Sequence, residues 1–526
     1  MNIQRKAISA ACEHGGRTNI WTIAIGVLFV WATVAFGETP AKPKILVDFK
    51  NTTVIKISPI HATAVMAQHA GKPALQITTE AAASWPGVLI EPREGKWDLS
   101  GFEGVEMDVY NPEDVPVRVL LSVNNPGADG RDHSNAEGVN VPRRGRATLV
   151  LPFGTWYGDN RPIDLGRIVS LQVMLDKPGR SRRVLVNNIR AVRFDESEMK
   201  AVFDDPFFQR LKPAFGRGVN LANALEAPKE GDWGVVLKEE YFDRIASAGF
   251  DSVRLPVRWS THAEASPPYR IDPKFFARVD WAIRQLLKRR ITPIVNMHNY
   301  DELVREPDKH RQRFVALWRQ IAEHYEGYPR ALAFELFNEP NGNLTADKWN
   351  ELLAETITVV RRTNPTREIV VGPVGWNGIK ELPSLELPSL ELPEKDRHII
   401  VTVHYYNPFH FTHQGASWAG PDSQQWLGTK WTGTPAEQRE VRRDFDAAVT
   451  WAVQHHRPIW LGEFGAYSKA DLESRVRWTR FVAEEALKRK MGFAYWEFCA
   501  GFGIYDPKRH RWIDPLRESL LPKTSD

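Results

Sequence analysis

At 526 residues, with 42% hydrophobic and 11% aromatic content, the chain is too long for one ordinary domain and too apolar to be disordered. A formal charge of only +4, with no Lys/Arg tract beyond short pieces such as Lys288–Arg290, argues against nucleic acid as a partner. Nineteen tryptophans supply flat amphipathic rings of the kind that cover sugar faces and other apolar planes.

The N-terminus reads as a leader. Ile20 to Phe36 is an uncharged apolar run preceded by Arg5, Lys6 and Arg17, with the small residues Ala35 and Gly37 at the end. The expectation is a signal peptide over 1–37 and a secreted or periplasmic protein with no stable membrane association once it is cleaved. The competing reading is an uncleaved anchor, for which the run is at the short end of the ~17 to 25 residues needed to span a bilayer. Cleavage removes three basic residues and one acid, Glu13, taking the charge from +4 to +2. It also removes Cys12, leaving Cys499 without an intramolecular partner.

From 41 to 197 the pattern is one of short alternating strands, VEMDVYNP, VPVRVLLSVNN, RATLVLPF and VSLQVMLD, punctuated by Pro, Gly and Asn. This predicts an all-β sandwich. Its strand pattern and the run VLVNNIRAVRF resemble the galactose-binding-like sandwiches that include carbohydrate-binding modules, and Trp85, Trp97, Trp156 and Tyr157 are available as stacking faces. A spacer role is the alternative. Residues 198–213 change character and read as a linker that packs against its neighbours.

Over 214–522 strands and helices alternate. Strand-like runs occur at GRGVNLANAL, SVRLPVRW, TPIVNMH, LAFELFNE, REIVVGPVGW, HIIVTVHYY, PIWLGEFG and GFAYWEF, most separated by amphipathic helical stretches such as PKFFARVDWAIRQLLKRR. Eight βα units in about 300 residues predict a (β/α)8 TIM barrel, an α/β fold whose chemistry sits at the C-terminal strand ends. Those ends carry Asn220 and Asn223, Arg254, His298, Asn338 and Glu339, His404 and Tyr406, Glu463, and Trp496. A single polar residue there is unremarkable; polar residues at all but one of the ends are not core filling.

The motifs NEP on strand four, HYY on strand six, GEFG on strand seven and YWEF on strand eight resemble the glycoside hydrolase family 5 cellulases. GRGVNLANALEAP, EGDWGVV, HYYNPFHFTHQGA and GEFGAYSKADLESR resemble a subfamily of endo-β-1,4-glucanases, some of which also hydrolyse β-mannan. The resemblance implies a retaining endo-acting hydrolase of β-1,4-glucan, including mixed-linkage glucan and glucomannan, with Glu339 as acid/base and Glu463 as nucleophile. It implies β-glucan or mannan as the binding partner, a monomer, no cofactor and no metal. Asn338 would meet the sugar 2-hydroxyl, His298 and His404 would line the cleavage point, and Trp496 would be a stacking platform, with Trp376 and Trp418 as further platforms. Asn220, Asn223, Arg254 and Tyr406 complete the substrate-site set, Arg254 and Tyr406 also holding Glu463 ionised. Asn299 stands where relatives often carry a second His. The alternatives are a β-mannanase or xyloglucanase of the same mechanism, and a non-catalytic glycan-binding protein on a dead barrel.

Other polar residues compete with this set. Glu335 shares a strand face with Glu339 but lies four residues deeper, and is expected to partner a buried base. Glu497 points away from Trp496. His410 and His413 have ligand-like spacing but no evident third ligand. The repeat LPSLELPSLELPE, Leu382 to Glu394, predicts an extended or turn-rich surface insertion.

Overall fold

The computed structural model describes residues 43–522 except 82, 130–132, 155–162, 177, 194–195 and 388–395, so the expected leader, Trp156, Tyr157 and the second half of the repeat lie outside the described residues. The described residues form one compact unit containing two separate large apolar cores.

The N-terminal part is a pair of antiparallel sheets. One has the order Ala62–His69, Lys72–Thr79, Arg183–Val192, Gly104–Tyr110, Arg146–Pro152, with Lys44–Val47 added to Arg183–Val192. The other has the order Ile55–Ile60, Gly87–Pro92, Ser170–Leu175, Val117–Asn124, Ser134–Val141. Alternation decides which side each residue takes. Val117, Val119, Leu121 and Val123 are buried between the sheets, together with Leu171, Val173 and Leu175 of the paired strand. Arg118, Leu120 and Asn140 therefore point out from the other face. Trp97 packs against this core, which makes it filling rather than an open platform.

Residues read as a linker are helical. Helices Glu196–Asp204 and Pro206–Arg210 are separated by Asp205, whose carboxylate accepts from the Phe207 N–H, and Phe208 is buried in the barrel's core. The segment is too short to display helical periodicity, and Pro206 interrupts it, which is why sequence reading passed over it.

Eight parallel strands close into a barrel: Arg217–Asn220, Ser252–Leu255, Thr292–Asn296, Ala333–Glu335, Ile369–Val371, Ile399–Tyr405, Ile459–Phe464 and Gly492–Tyr495, the last pairing with the first. Outer helices show why they form and where they pack. In Pro273–Lys288, Asp272 caps the N-terminus, and Phe275, Phe276, Val279, Ile283 and Leu286 form the buried stripe. Inside the barrel, Ile294, Ala333, Val370, Ile400, Trp460 and Ala494 fill an apolar layer. Two residues further along these strands the lining turns polar, with Asn296, Glu335 and Thr402 all buried.

Strand seven departs from simple alternation. Val403 pairs with Leu461 but His404 pairs with Glu463, so Gly462 is an extra residue in the ladder. A side chain at Gly462 would strike Thr402 and come within 3.2 Å of His404 Nε2. The bulge turns Glu463 inward immediately after an inward-facing glycine.

The described first half of the repeat is less exposed than its composition predicts. Leu382, Leu385 and Leu387 are buried in the barrel's core, and Ile379–Ser384 is a 3-10 turn. Leucine burial outweighs the turn-forming tendency of its prolines.

Candidate active site

The site is built on Arg254, which is fully buried beneath the barrel mouth. Its five N–H groups are all used. Nε and Nη2 donate to the two oxygens of Glu335 at 2.6 and 2.7 Å, Nη1 to Glu463 Oε1 at 2.6 Å and to Asn220 Oδ1 at 2.9 Å, and Nη2 to Asn338 Oδ1 at 2.6 Å. Burial opposes the charge, but Glu335 and Glu463 hold the guanidinium protonated. Glu335 is thus the buried partner of a base, as its depth in the strand implied.

Two carboxyl groups face each other above this layer. One oxygen from each of Glu339 and Glu463 and a ring nitrogen of His404 all lie within 4.8 Å of one another. Glu463 is 4% exposed and accepts from Arg254 and, at 2.9 Å, from the Tyr406 hydroxyl. Glu339 is more open, and its Oε1 lies 2.6 Å from His404 Nδ1. Asn377 Nδ2 approaches His404 Nε2 at 3.3 Å, which makes Nε2 the acceptor and places the ring proton on Nδ1, pointing at Glu339.

Burial raises the Glu339 carboxyl to about 7, against the pull of Arg254 and with the help of Glu335. Burial also raises Glu463, but His404, Arg254 and the Tyr406 hydroxyl oppose it. The proton therefore belongs on Glu339, whose direct neighbour is an uncharged imidazole, and the negative charge on Glu463, which touches a guanidinium. His404 is lowered to about 4 by burial and is neutral near pH 7. With its Nδ1 carrying hydrogen and Arg254 beside Glu463, this trio offers a metal ion no free imidazole lone pair and a competing cation, so it is a poor fit for one.

The groove floor and walls are aromatic. His298 and Trp496 lie parallel, 5.5 Å between centroids and 7° between planes. Asn296 Nδ2 lies 3.1 Å from His298 Nδ1, which leaves Nε2–H as the ring's donor. Asn338 has its oxygen fixed by Arg254 and its backbone carbonyl bonded to Asn377, while no protein acceptor holds its Nδ2 among the described residues. From Tyr406 an aromatic wall runs outward. Tyr406 meets His413 at 4.9 Å and Phe502 at 6.2 Å, and Trp418 meets Tyr467 at 5.0 Å and Phe502 at 6.4 Å. Trp376 and Trp418 are 60% and 62% exposed.

Two residues expected at the substrate are corrected by the geometry. Asn220 is fully buried, its amide donating to the carbonyls of Gly462, Ala494 and Tyr495 and its oxygen accepting from Arg254, so it braces the barrel mouth from below. Arg254 is likewise fully buried, with every donor given to a protein oxygen, and positions Glu463 and Asn338. Both stand at strand ends in the sequence, but at a level one layer beneath the opening. Asn223 is half-buried in the left-handed region at φ +61°, its backbone N–H held by Glu226. Asn299 Oδ1 is buried with no hydrogen-bond partner among the described residues. Glu497 accepts from the backbone N–H groups of Cys499, Ala500 and Phe502 and shapes the loop after strand eight. His410 stacks on Trp426 and His413 on Phe409.

Sequence reasoning missed Asn377 and the place of His413 in the wall. The only signal for Asn377 is the composition GWNG, which marks a turn without indicating that the turn reaches His404.

The family model for cellulase, glycosyl hydrolase family 5, matches residues 214–501. Endoglucanase H of Acetivibrio thermocellus is 36% identical over 301 residues, covering 57% of this chain and 31% of that protein. Endoglucanase B of Clostridium cellulovorans is 29% identical over 321 residues, covering 57% of this chain and 71% of that protein. Among solved structures, Thermotoga maritima Cel5A in complex with mannotriose is 51% identical with a TM-score of 0.57, covering 60% of this chain and 99% of that one.

Proposed function

The chain belongs to the cellulase family, glycosyl hydrolase family 5, and from that membership we propose that it is a retaining endo-β-1,4-glucanase acting on β-1,4-glucans, mixed-linkage glucan and glucomannan. The observation that carries the mechanism is the approach of Glu339 and Glu463 oxygens to within 4.8 Å. Retaining enzymes hold their two carboxyl groups about 5 to 5.5 Å apart, whereas inverting ones leave roughly 6.5 to 9.5 Å for a water molecule.

The Glu463 carboxylate attacks the anomeric carbon while the bond to the leaving sugar oxygen breaks and Glu339 gives that oxygen its proton. A glycosyl ester on Glu463 results. The negative charge of Glu463 is then gone and that of Glu339 remains, so Glu339 takes a proton from water as the water oxygen attacks the anomeric carbon and Glu463 departs. Asn338, with Oδ1 anchored on Arg254, offers Nδ2–H to the sugar 2-hydroxyl. His298, Trp496 and Trp418 provide ring faces and a donor along the groove.

Support for a mannan-containing substrate is the mannotriose complex of the Thermotoga maritima relative, which also has a structure with cellobiose. The leader reading makes the protein exported, secreted or periplasmic; among the described residues no helix is long and apolar enough to cross a membrane.

The test is a paired comparison of Glu339→Ala and Glu463→Ala with proton NMR of early wild-type products. Both variants should fold and lose nearly all activity on polymer, and Glu339→Ala should retain cleavage of aryl glycosides whose leaving group needs no acid. The β-anomer should appear first. Early α-anomer, or polymer hydrolysis by either variant at near wild-type rate, sinks the assignment.

A further inference from the structure

The sandwich touches the barrel at one telling place. On its Val117–Asn124 and Ser134–Val141 strands, Arg118 pairs with Asn140 and Leu120 with Gly138. The absence of a side chain at Gly138 leaves room for the Arg118 guanidinium, which lies 3.2 Å from where a Cβ would stand. Arg118 Nη1 donates at 2.8 Å to Oε1 of Glu381, and Asn140 Nδ2 donates to Oε2 of the same carboxylate. Glu381 is largely buried by these contacts. Beside it, Lys380 pairs with Glu137 of the sandwich.

Glu381 belongs to the 3-10 turn that follows barrel strand five, and its Cγ packs 2.7 Å from where a Cβ of Gly375 would be. Gly375 begins three consecutive residues in the left-handed region, Gly375, Trp376 and Asn377, at φ +68°, +58° and +57°. Only the first is a glycine. Asparagine tolerates that region, but Trp376 holds a disfavoured conformation and persists in it only where surrounding contacts enforce it. That turn reaches the reacting centre, because the Trp376 N–H donates to the Pro340 carbonyl at 3.2 Å, next to Glu339, and Asn377 bonds the Asn338 carbonyl and approaches His404 Nε2.

We propose that the sandwich is a positioning element of the active site: through Arg118 and Asn140 it clamps Glu381, which fixes the Gly375–Asn377 turn, presents Trp376 as a platform for the polysaccharide and seats Asn377 against Asn338 and His404. The sheet face that an independent glycan-binding sandwich would offer is here partly spent on this clamp. The inference rests on the hydrolase reading for its catalytic consequence but not for its structural one.

Two measurements on the full chain separate these. Hydrogen-exchange mass spectrometry of Arg118→Ala/Asn140→Ala should show faster exchange in the 373–384 segment, with the outer barrel helices unchanged, and Arg118→Lys with Asn140 intact should restore part of the protection. Unchanged exchange there overturns the proposal. Initial rates on cellohexaose should show kcat/KM lower by about 10-fold in the double variant, mainly through KM, and by less than about 2-fold when the same two changes are made in a Trp376→Ala background, because the clamp acts through that turn. The same fold-loss in both backgrounds also overturns it. A wild-type chain inert on every glucan and mannan would sink the hydrolase reading, and the exchange result would still decide the clamp.

Discussion

Replacing Tyr406 with Phe removes one hydroxyl and tests how Glu463 is kept ionised. In the folded protein that hydroxyl donates to Glu463 Oε2 at 2.9 Å, and the carboxyl is only 4% exposed, so no water readily replaces the bond. A hydrogen bond to a charged group contributes about 1.5 to 3 kcal/mol. Since one pKa unit corresponds to ~1.4 kcal/mol, the carboxylate of Glu463 should become harder to form by about one to two units. Glu463 must be ionised to attack, so the acidic limb of the kcat/KM profile should move to higher pH by that amount. The basic limb, set by Glu339 losing its proton near 7, should stay close to its place. The assay is kcat/KM on soluble mixed-linkage glucan across pH at constant ionic strength. An acidic limb that stays fixed, or moves to lower pH, would refute the claim that Tyr406 and Arg254 hold the charge on Glu463.

Trp418→Ala should raise KM on long cello-oligosaccharides by about 2- to 10-fold with little change in kcat, the range expected for losing one aromatic stacking contact, and an oligosaccharide length series measures it; a drop in kcat alone would place Trp418 outside the binding groove. Glu226→Gln concerns stability. Burial raises the Glu226 carboxyl to about 8 from an unfolded value near 4.5, so the folded state binds the extra proton between those values and stability falls as pH climbs through that window. Gln abolishes that contribution, and thermal unfolding from pH 4 to 9 should show a shallower decline than the wild type. Glu339 and Glu497, each raised to about 7, will keep some of the slope.

Strand periodicity exposed the barrel, and the carboxylates at the ends of strands four and seven were legible because the fold rule says where to look. Glu335 was readable for the same reason, by counting along a strand. Asn220 and Arg254 were misplaced because sequence position gives the strand but not the depth, and one layer separates a residue that touches sugar from one that supports its neighbour. Asn377 was invisible because its contribution depends on a turn of three consecutive left-handed residues that includes Trp376, which does not favour that conformation. The helices at 196–210 were lost to brevity, and the clamp between Arg118, Asn140 and Glu381 joins positions 241 to 263 residues apart, which no local pattern encodes.

The bulge at Gly462 makes the position of the nucleophile a matter of counting parity. Along an unbroken strand the residues inward of the barrel recur every second position, and from Trp460 that series would pass through 462 and 464, leaving Glu463 among the helices. The extra residue resets the phase once, just before the carboxylate. An exchange of Gly462 for a larger residue would crowd His404 and Thr402, but a one-residue deletion would do something different in kind: with the bulge gone, the glutamate would stand two positions after Trp460, still facing inward but one layer lower, level with Thr402 and Glu335. In comparing chains of this shape, the spacing between the inward tryptophan and the glutamate is therefore as diagnostic as the glutamate itself.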